Sequence, residues 1–159
     1  MSSTPALDWH KLFDFDDIAA NGAITNAAVA IAEALSGEYG QPLVGRTRMV
    51  FVDRVQGVVY KLPLNYEGIS ANQLEAQSSL RQRESAESAY VPIAPCELLL
   101  DKDIDLVADR SSDSGIPILK MEYLQSVEIP ISEMPTWVQS VDCAQVGIDQ
   151  HGDLLAFDL

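Results

Sequence analysis

This chain of 159 residues has little of several things, and each scarcity closes off a class of chemistry. It carries two cysteines, Cys96 and Cys143, at a spacing that matches no zinc motif. It carries two histidines, His10 and His151, and no Gly-x-Ser-x-Gly elbow. A serine triad needs a histidine base near its nucleophile; the elbow is missing, and His151 sits in a Gln-His-Gly turn that reads as an exposed loop. No run of eighteen apolar residues offers a membrane span. The opening MSSTPALDWHKLFDF lacks the basic and apolar regions of a signal peptide, so a cytoplasmic protein with free thiols is expected.

Basic residues are also scarce. Ten Lys and Arg stand against 24 Asp and Glu, a formal charge of −14. The one basic cluster is Arg46, Arg48 and Arg54, with Arg81 and Arg83 further on. Direct nucleic-acid binding is not expected, because too few cations gather to release counterions from a phosphate backbone. The acidity fits solubility, and it also fits docking on a basic protein surface or mimicry of nucleic acid. Apolar residues make up 47% and charged residues 21%, the composition of one globular domain.

Residues 1–42 read as a helical N-terminal segment. Leu7, Trp9, Leu12, Phe13 and Ile18 recur at loosely helical spacing and fit either an amphipathic helix or a hook onto the core. Thr25 to Ser36 is alanine-rich, opens on Thr-Asn and stops before Gly37, which predicts a helix of about three turns. From Leu43 the period changes to that of strands. Met49 to Val52 and Val58 to Leu62 flank DRVQG, a hairpin with Gly57 in its turn.

PLNYEGIS then reads as a loop, and a helix is expected from about Ser70 to Ser88, with Ala71, Leu74, Glu75, Ser78 and Arg81 on one side. Glu97 to Leu100 is a proline-bounded strand, with Ile104 to Asp109 as its hairpin partner or a loop. Asp101, Asp103 and Asp105 lack the glycine and closing glutamate of a calcium loop and read as a charged turn. Residues 43–125 form the expected sheet and helix, and 126–159 a helix and a hairpin.

Lys61 is the residue that asks for an explanation. It ends the run Val58, Val59, Tyr60, and a lysine in a buried strand needs a counter-charge, for which Glu75 is the nearest candidate. Val-Val-Tyr-Lys followed by a helix with a glutamate resembles the phosphate-gripping strand and paired helix of the protein kinase fold. Met121-Glu122-Tyr123-Leu124 is similar to the end of a kinase's fifth strand and hinge, where main-chain groups face adenine. QVGIDQHGDLLAFD resembles the hairpin that runs from the metal-binding Asn, here Gln145, to the metal-binding Asp, here Asp158.

The resemblance implies an α+β fold, an antiparallel sheet of about five strands with packed helices like a kinase N-lobe, plus a C-terminal β-hairpin. It implies that Lys61, Glu75, Glu122 and Leu124 would face a nucleotide, and that Gln145 and Asp158 would hold a metal such as Mg. Leu43 and Arg48 stand where the phosphate loop would have glycines, Ser140 where the catalytic base would be, and the sequence stops where an activation loop would begin. Phosphoryl transfer is therefore not expected. The style also resembles short kinase-like proteins of tailed bacteriophages. Two readings follow: a catalytically inactive kinase-like module that docks on, or inhibits, a protein partner with no cofactor, and a pseudokinase that binds ATP and Mg.

Overall fold

The computed structural model describes residues 8–15, 22–84, 92–100, 116–127, 129–140 and 145–157. Helix α1 is a single turn, Trp9–Leu12, and α2 spans Ala23–Tyr39. The strands are β1 Leu43–Val44, β2 Arg48–Asp53, β3 Val58–Pro63, β4 Cys96–Leu99 and β5 Ile118–Glu122, with helix α3, Tyr66–Glu84, between β3 and β4. A two-stranded hairpin, β6 Val146–Ile148 and β7 Leu154–Ala156, follows. The five strands form one antiparallel sheet in the order β1-β2-β3-β5-β4, so the expected α+β architecture is present.

The pleat sorts the strand residues into two cores. Met49 and Phe51 of β2, Tyr60 and Leu62 of β3 and Ile118 of β5 point to one face. There they meet Ala28, Ile31, Ala32 and Leu35 of α2 and the pair Phe13 and Phe15. Val59, Leu119 and Met121 point to the other face, where Ala94, Cys96, Ala76 of α3 and Leu155 and Phe157 of the hairpin region cover them. With both faces covered, β3 is buried along nearly its whole length, apolar except for Lys61. Each fully buried Ile, Leu or Phe here contributes about 1.5–3 kcal/mol.

Several expectations change. The N-terminal segment is the hook: after one helical turn, Phe13 and Phe15 are buried in extended chain, and Asp14 N–H donates to the Leu64 carbonyl at 2.7 Å. Helix α2 runs on past Gly37 to Gly40, because Tyr39 in its last turn stacks on Tyr60 with ring centroids 5.4 Å apart. That contact offsets the cost of one exposed helical glycine, about 1 kcal/mol. Helix α3 starts four residues before the expected Ser70, since Asn65 caps it, its side-chain oxygen accepting from Gly68 N–H at 2.9 Å.

Strand β4 pairs with β5, Cys96 opposite Met121. Residues 85–88, 101–115 and 141–144, which include Ile104 to Asp109, the alternating aspartates and Cys143, lie outside the described residues. Where a helix was expected in 126–159, the described residues hold two 3₁₀ turns, Ile131–Glu133 and Thr136–Ser140. Pro130 and Pro135 each precede one, and proline withholds the N–H that a continuous α-helix would need. Among the described residues no helix is long and apolar enough to cross a membrane.

Candidate functional site

The D-R-V-Q-G turn sets the register of β2 on β3, and the register sets the site. Asp53 builds that turn with its side chain, Oδ1 accepting from Val55 N–H at 3.0 Å and Gln56 N–H at 3.1 Å. Val50 then lies opposite Lys61 and Val52 opposite Val59, while Met121 and Leu119 of β5 lie opposite Val59 and Lys61. These residues share one face. Arg48, two residues before Val50, shares it as well.

Helix α3 crosses that face with an unusual inner side. Its buried residues are Gly68, Asn72, Glu75 and Ser79, while Leu74 is 59% exposed, so the side expected to gather Ala71, Leu74 and Arg81 around Glu75 does not form. The inner side is polar because the sheet beneath it is charged. Glu75 Oε2 lies 3.3 Å from Lys61 Nζ, and Glu75 Oε1 accepts from Arg48 Nη2 at 2.7 Å. Asn72, one turn earlier, accepts from Arg48 Nη1 at 3.1 Å and donates to the Lys61 carbonyl at 3.0 Å and the Pro117 carbonyl at 2.9 Å.

The expected Lys61–Glu75 pair is therefore present, at 4% and 2% exposure, and Arg48, at 7%, is a second cation on the same carboxylate. Burial is the main force on Lys61 and lowers its pKa below the ordinary lysine value; Glu75 pulls it back up and Arg48 pushes it further down. Lys61 Nζ also sits 5.7 Å from the centroid of the Phe157 ring.

Above this triad opens a cleft of about 820 Å³. Val50, Val52, Val59 and Lys61 form its floor, Leu43 and Val44 of β1 one side, Met121, Tyr123 and Leu124 the other, and Gln145 and Phe157 its far wall. The hairpin closes against the strand end because Gln125 and Ile148 exchange backbone hydrogen bonds of 2.9 and 3.0 Å. This approach depends on Gly147: a Cβ there would lie 2.5 Å from Leu124 Cβ and 3.0 Å from the Gln125 carbonyl oxygen.

The other sequence candidates separate. Leu124 lies at the cleft; Tyr123 N–H before it donates to the Gly57 carbonyl and Gln125 after it is bridged to Ile148, but neither Leu124 main-chain group is engaged among the described residues. Glu122 lies opposite Val58, so its side chain belongs to the other face, where Oε1 is buried without a hydrogen-bond partner among the described residues. Its main-chain N–H donates to the Pro95 carbonyl at 3.3 Å, and Pro95 has no N–H to return. Gln145 lines the cleft, its carbonyl accepting Phe157 N–H at 3.0 Å, and Asp158 lies outside the described residues.

Asn72 had no functional reading in the sequence, and Arg48 was read as standing at a phosphate-loop position rather than beside Lys61. The signal for Arg48 was parity: it alternates with Val50 and Val52, and a hairpin register puts that set beside Lys61. For Asn72 it was the helical spacing of three to Glu75. No family model, no curated protein and no solved structure matches this chain.

Proposed function

We propose that this chain is a kinase-like module whose cleft holds a nucleotide of the ATP class, with binding rather than phosphoryl transfer as its output. The observation that carries this reading is the buried Lys61, braced by Glu75 of the next helix, at the floor of a cleft that also offers the apolar side chains Val50, Val52, Val59 and Met121. Its volume falls in the range of small-ligand sites, roughly 300–1,000 Å³. A heteroaromatic base fits among Val59, Met121 and Leu124, with the Leu124 main-chain groups available to its edge. Lys61 has three donors and one carboxylate acceptor among the described residues, so it can also grip an anionic oxygen. The strand order β1-β2-β3-β5-β4, with the glutamate helix inserted between β3 and β4, supports the kinase-like resemblance.

Of the residues expected to hold a metal, the described part of the chain places only Gln145 at the cleft. An amide oxygen alone does not hold Mg²⁺, which takes one or two carboxylates with phosphate oxygens. Among the described residues no three His, Cys, Asp or Glu gather as a metal site.

Titration calorimetry of the purified chain with ATP tests the reading. Saturable binding to wild type that weakens in Lys61→Met supports it, and no heat at millimolar ATP overturns it. A second reading, an acidic module that docks on a basic partner, is favoured by the charge distribution. Arg46, Arg48 and Lys61 all line the cleft, so the remaining surface is more acidic than the net charge of −14 conveys. The two readings are compatible, because the cleft and the outer surface are different places.

A further inference from the structure

A nucleotide in this cleft needs something to hold its phosphates beyond Lys61, and this inference rests on the nucleotide reading above. A glycine-rich loop does so with free backbone N–H groups on a pliable turn. The turn between β1 and β2, Gly45-Arg46-Thr47, is not pliable. Gly45 N–H already donates to the Arg48 carbonyl at 2.8 Å, the Thr47 carbonyl accepts Leu64 N–H at 2.8 Å, and the Arg46 carbonyl accepts from Asn65 Nδ2 at 3.3 Å. Gly68 of α3 packs so closely beneath that a Cβ there would collide with the Thr47 carbonyl. Both Gly45 and Arg46 line the cleft, and the fold holds the turn at three backbone groups, the Gly45 N–H and the Arg46 and Thr47 carbonyls.

The Arg46 side chain is free of that hold. It is 90% exposed and lies 3.8 Å from Glu67, itself 75% exposed, on the first turn of α3; both line the cleft. Such a pair is weak and exchanges readily. We propose that Arg46 is the phosphate-gripping residue of this site, a side-chain cation in place of a glycine-rich loop, and that Glu67 holds it in reserve and competes with the ligand for it. The ligand this selects is a nucleoside di- or triphosphate, whose outer phosphates present the paired anionic oxygens that a guanidinium fork matches. Gripping by an exposed cation is screened by salt, so this part of the affinity weakens as ionic strength rises.

The two residues give opposite signs. Arg46→Gln is expected to weaken ATP about tenfold, the loss of one charge-assisted hydrogen bond. Glu67→Gln is expected to tighten ATP by about threefold, since it frees Arg46 and removes a like charge from the phosphates. Both positions are exposed, so a thermal melt will show each variant folded. Calorimetry with ATP and with adenosine, at low and high salt, reads the result. ATP weakened by Arg46→Gln and tightened by Glu67→Gln, with the first effect shrinking in high salt, supports the proposal. Wild type that binds ATP no better than Arg46→Gln does overturns it and leaves the nucleotide reading standing. Wild type that binds neither adenosine nor ATP overturns both.

Discussion

Substituting Glu75 with glutamine keeps the shape of the side chain and removes the one carboxylate described between two buried cations. Lys61 and Arg48 touch the two oxygens of the same group at 3.3 and 2.7 Å. They therefore lie no more than roughly 8 Å apart, and at an effective dielectric of about 20 their mutual repulsion is at least about 2 kcal/mol. Lys61 loses its described counter-charge at 4% exposure; Arg48 keeps Asn72 but exchanges a salt bridge for a hydrogen bond to a neutral amide. Breaking a buried ion pair from one side costs about 3–5 kcal/mol, and this geometry falls in that range. For a chain of this size such a loss lowers Tm by roughly 8–16 °C. Thermal and urea melts followed by circular dichroism measure it, with Glu33→Gln, an exposed acid on α2, as the control that should not move. A Glu75→Gln protein within about 1 kcal/mol of wild type would show that the carboxylate does not carry this load.

Lys61→Met leaves Glu75 paired with Arg48, so at neutral pH it should cost no more than about 1 kcal/mol despite removing a buried ion pair. Because burial holds the folded pKa of Lys61 below 10.5, its protonation disfavours folding at every pH below the folded value. The handicap is relieved as pH climbs from that value toward 10.5. Urea melts should therefore show wild type gaining on Lys61→Met between neutral and alkaline pH, and a gap moving the other way contradicts the burial. Gly147→Ala would drive a methyl into Leu124 and Gln125, and should cost about 1–3 kcal/mol in the same melts while weakening any ligand of the cleft. On the kinase-like reading, in which Ser140 takes the place of the base, purified protein with ATP, magnesium and generic protein substrates should transfer no phosphate above background; transfer abolished by Lys61→Ala contradicts this.

What could be read from the sequence was whatever local chemistry dictates. Val58-Val59-Tyr60 is a strand by its branched and aromatic side chains, Asp53 to Gly57 turns the chain back, and a lysine in that strand called for a carboxylate that Glu75 supplies. What could not be read depends on the partner surface. Helix α3 hides Asn72, Glu75 and Ser79 and shows Leu74 to solvent, the reverse of an amphipathic pattern, because Asn72 and Glu75 meet the cations Arg48 and Lys61 on the sheet and Ser79 accepts the Cys96 N–H of β4. Arg48 looked like a misplaced residue in a phosphate loop until the β2–β3 register put it beside Lys61. The early start of α3 followed from one capping contact at Asn65, which spacing alone does not separate from a loop ending in Gly68. Glu122 was read with the hinge, but the alternation of a strand sends its side chain to the far face.

The central claim, that the cleft between β1 and the β6–β7 hairpin holds a nucleotide, is tested most directly by titrating ATP into ¹⁵N-labelled protein and mapping which amides shift. The account predicts saturable shifts centred on Val59, Lys61, Met121 and Leu124, with the Leu124 amide among the largest because its N–H gains a partner. Shifts confined to the outer face of α2, or no shifts at millimolar ATP, would contradict it.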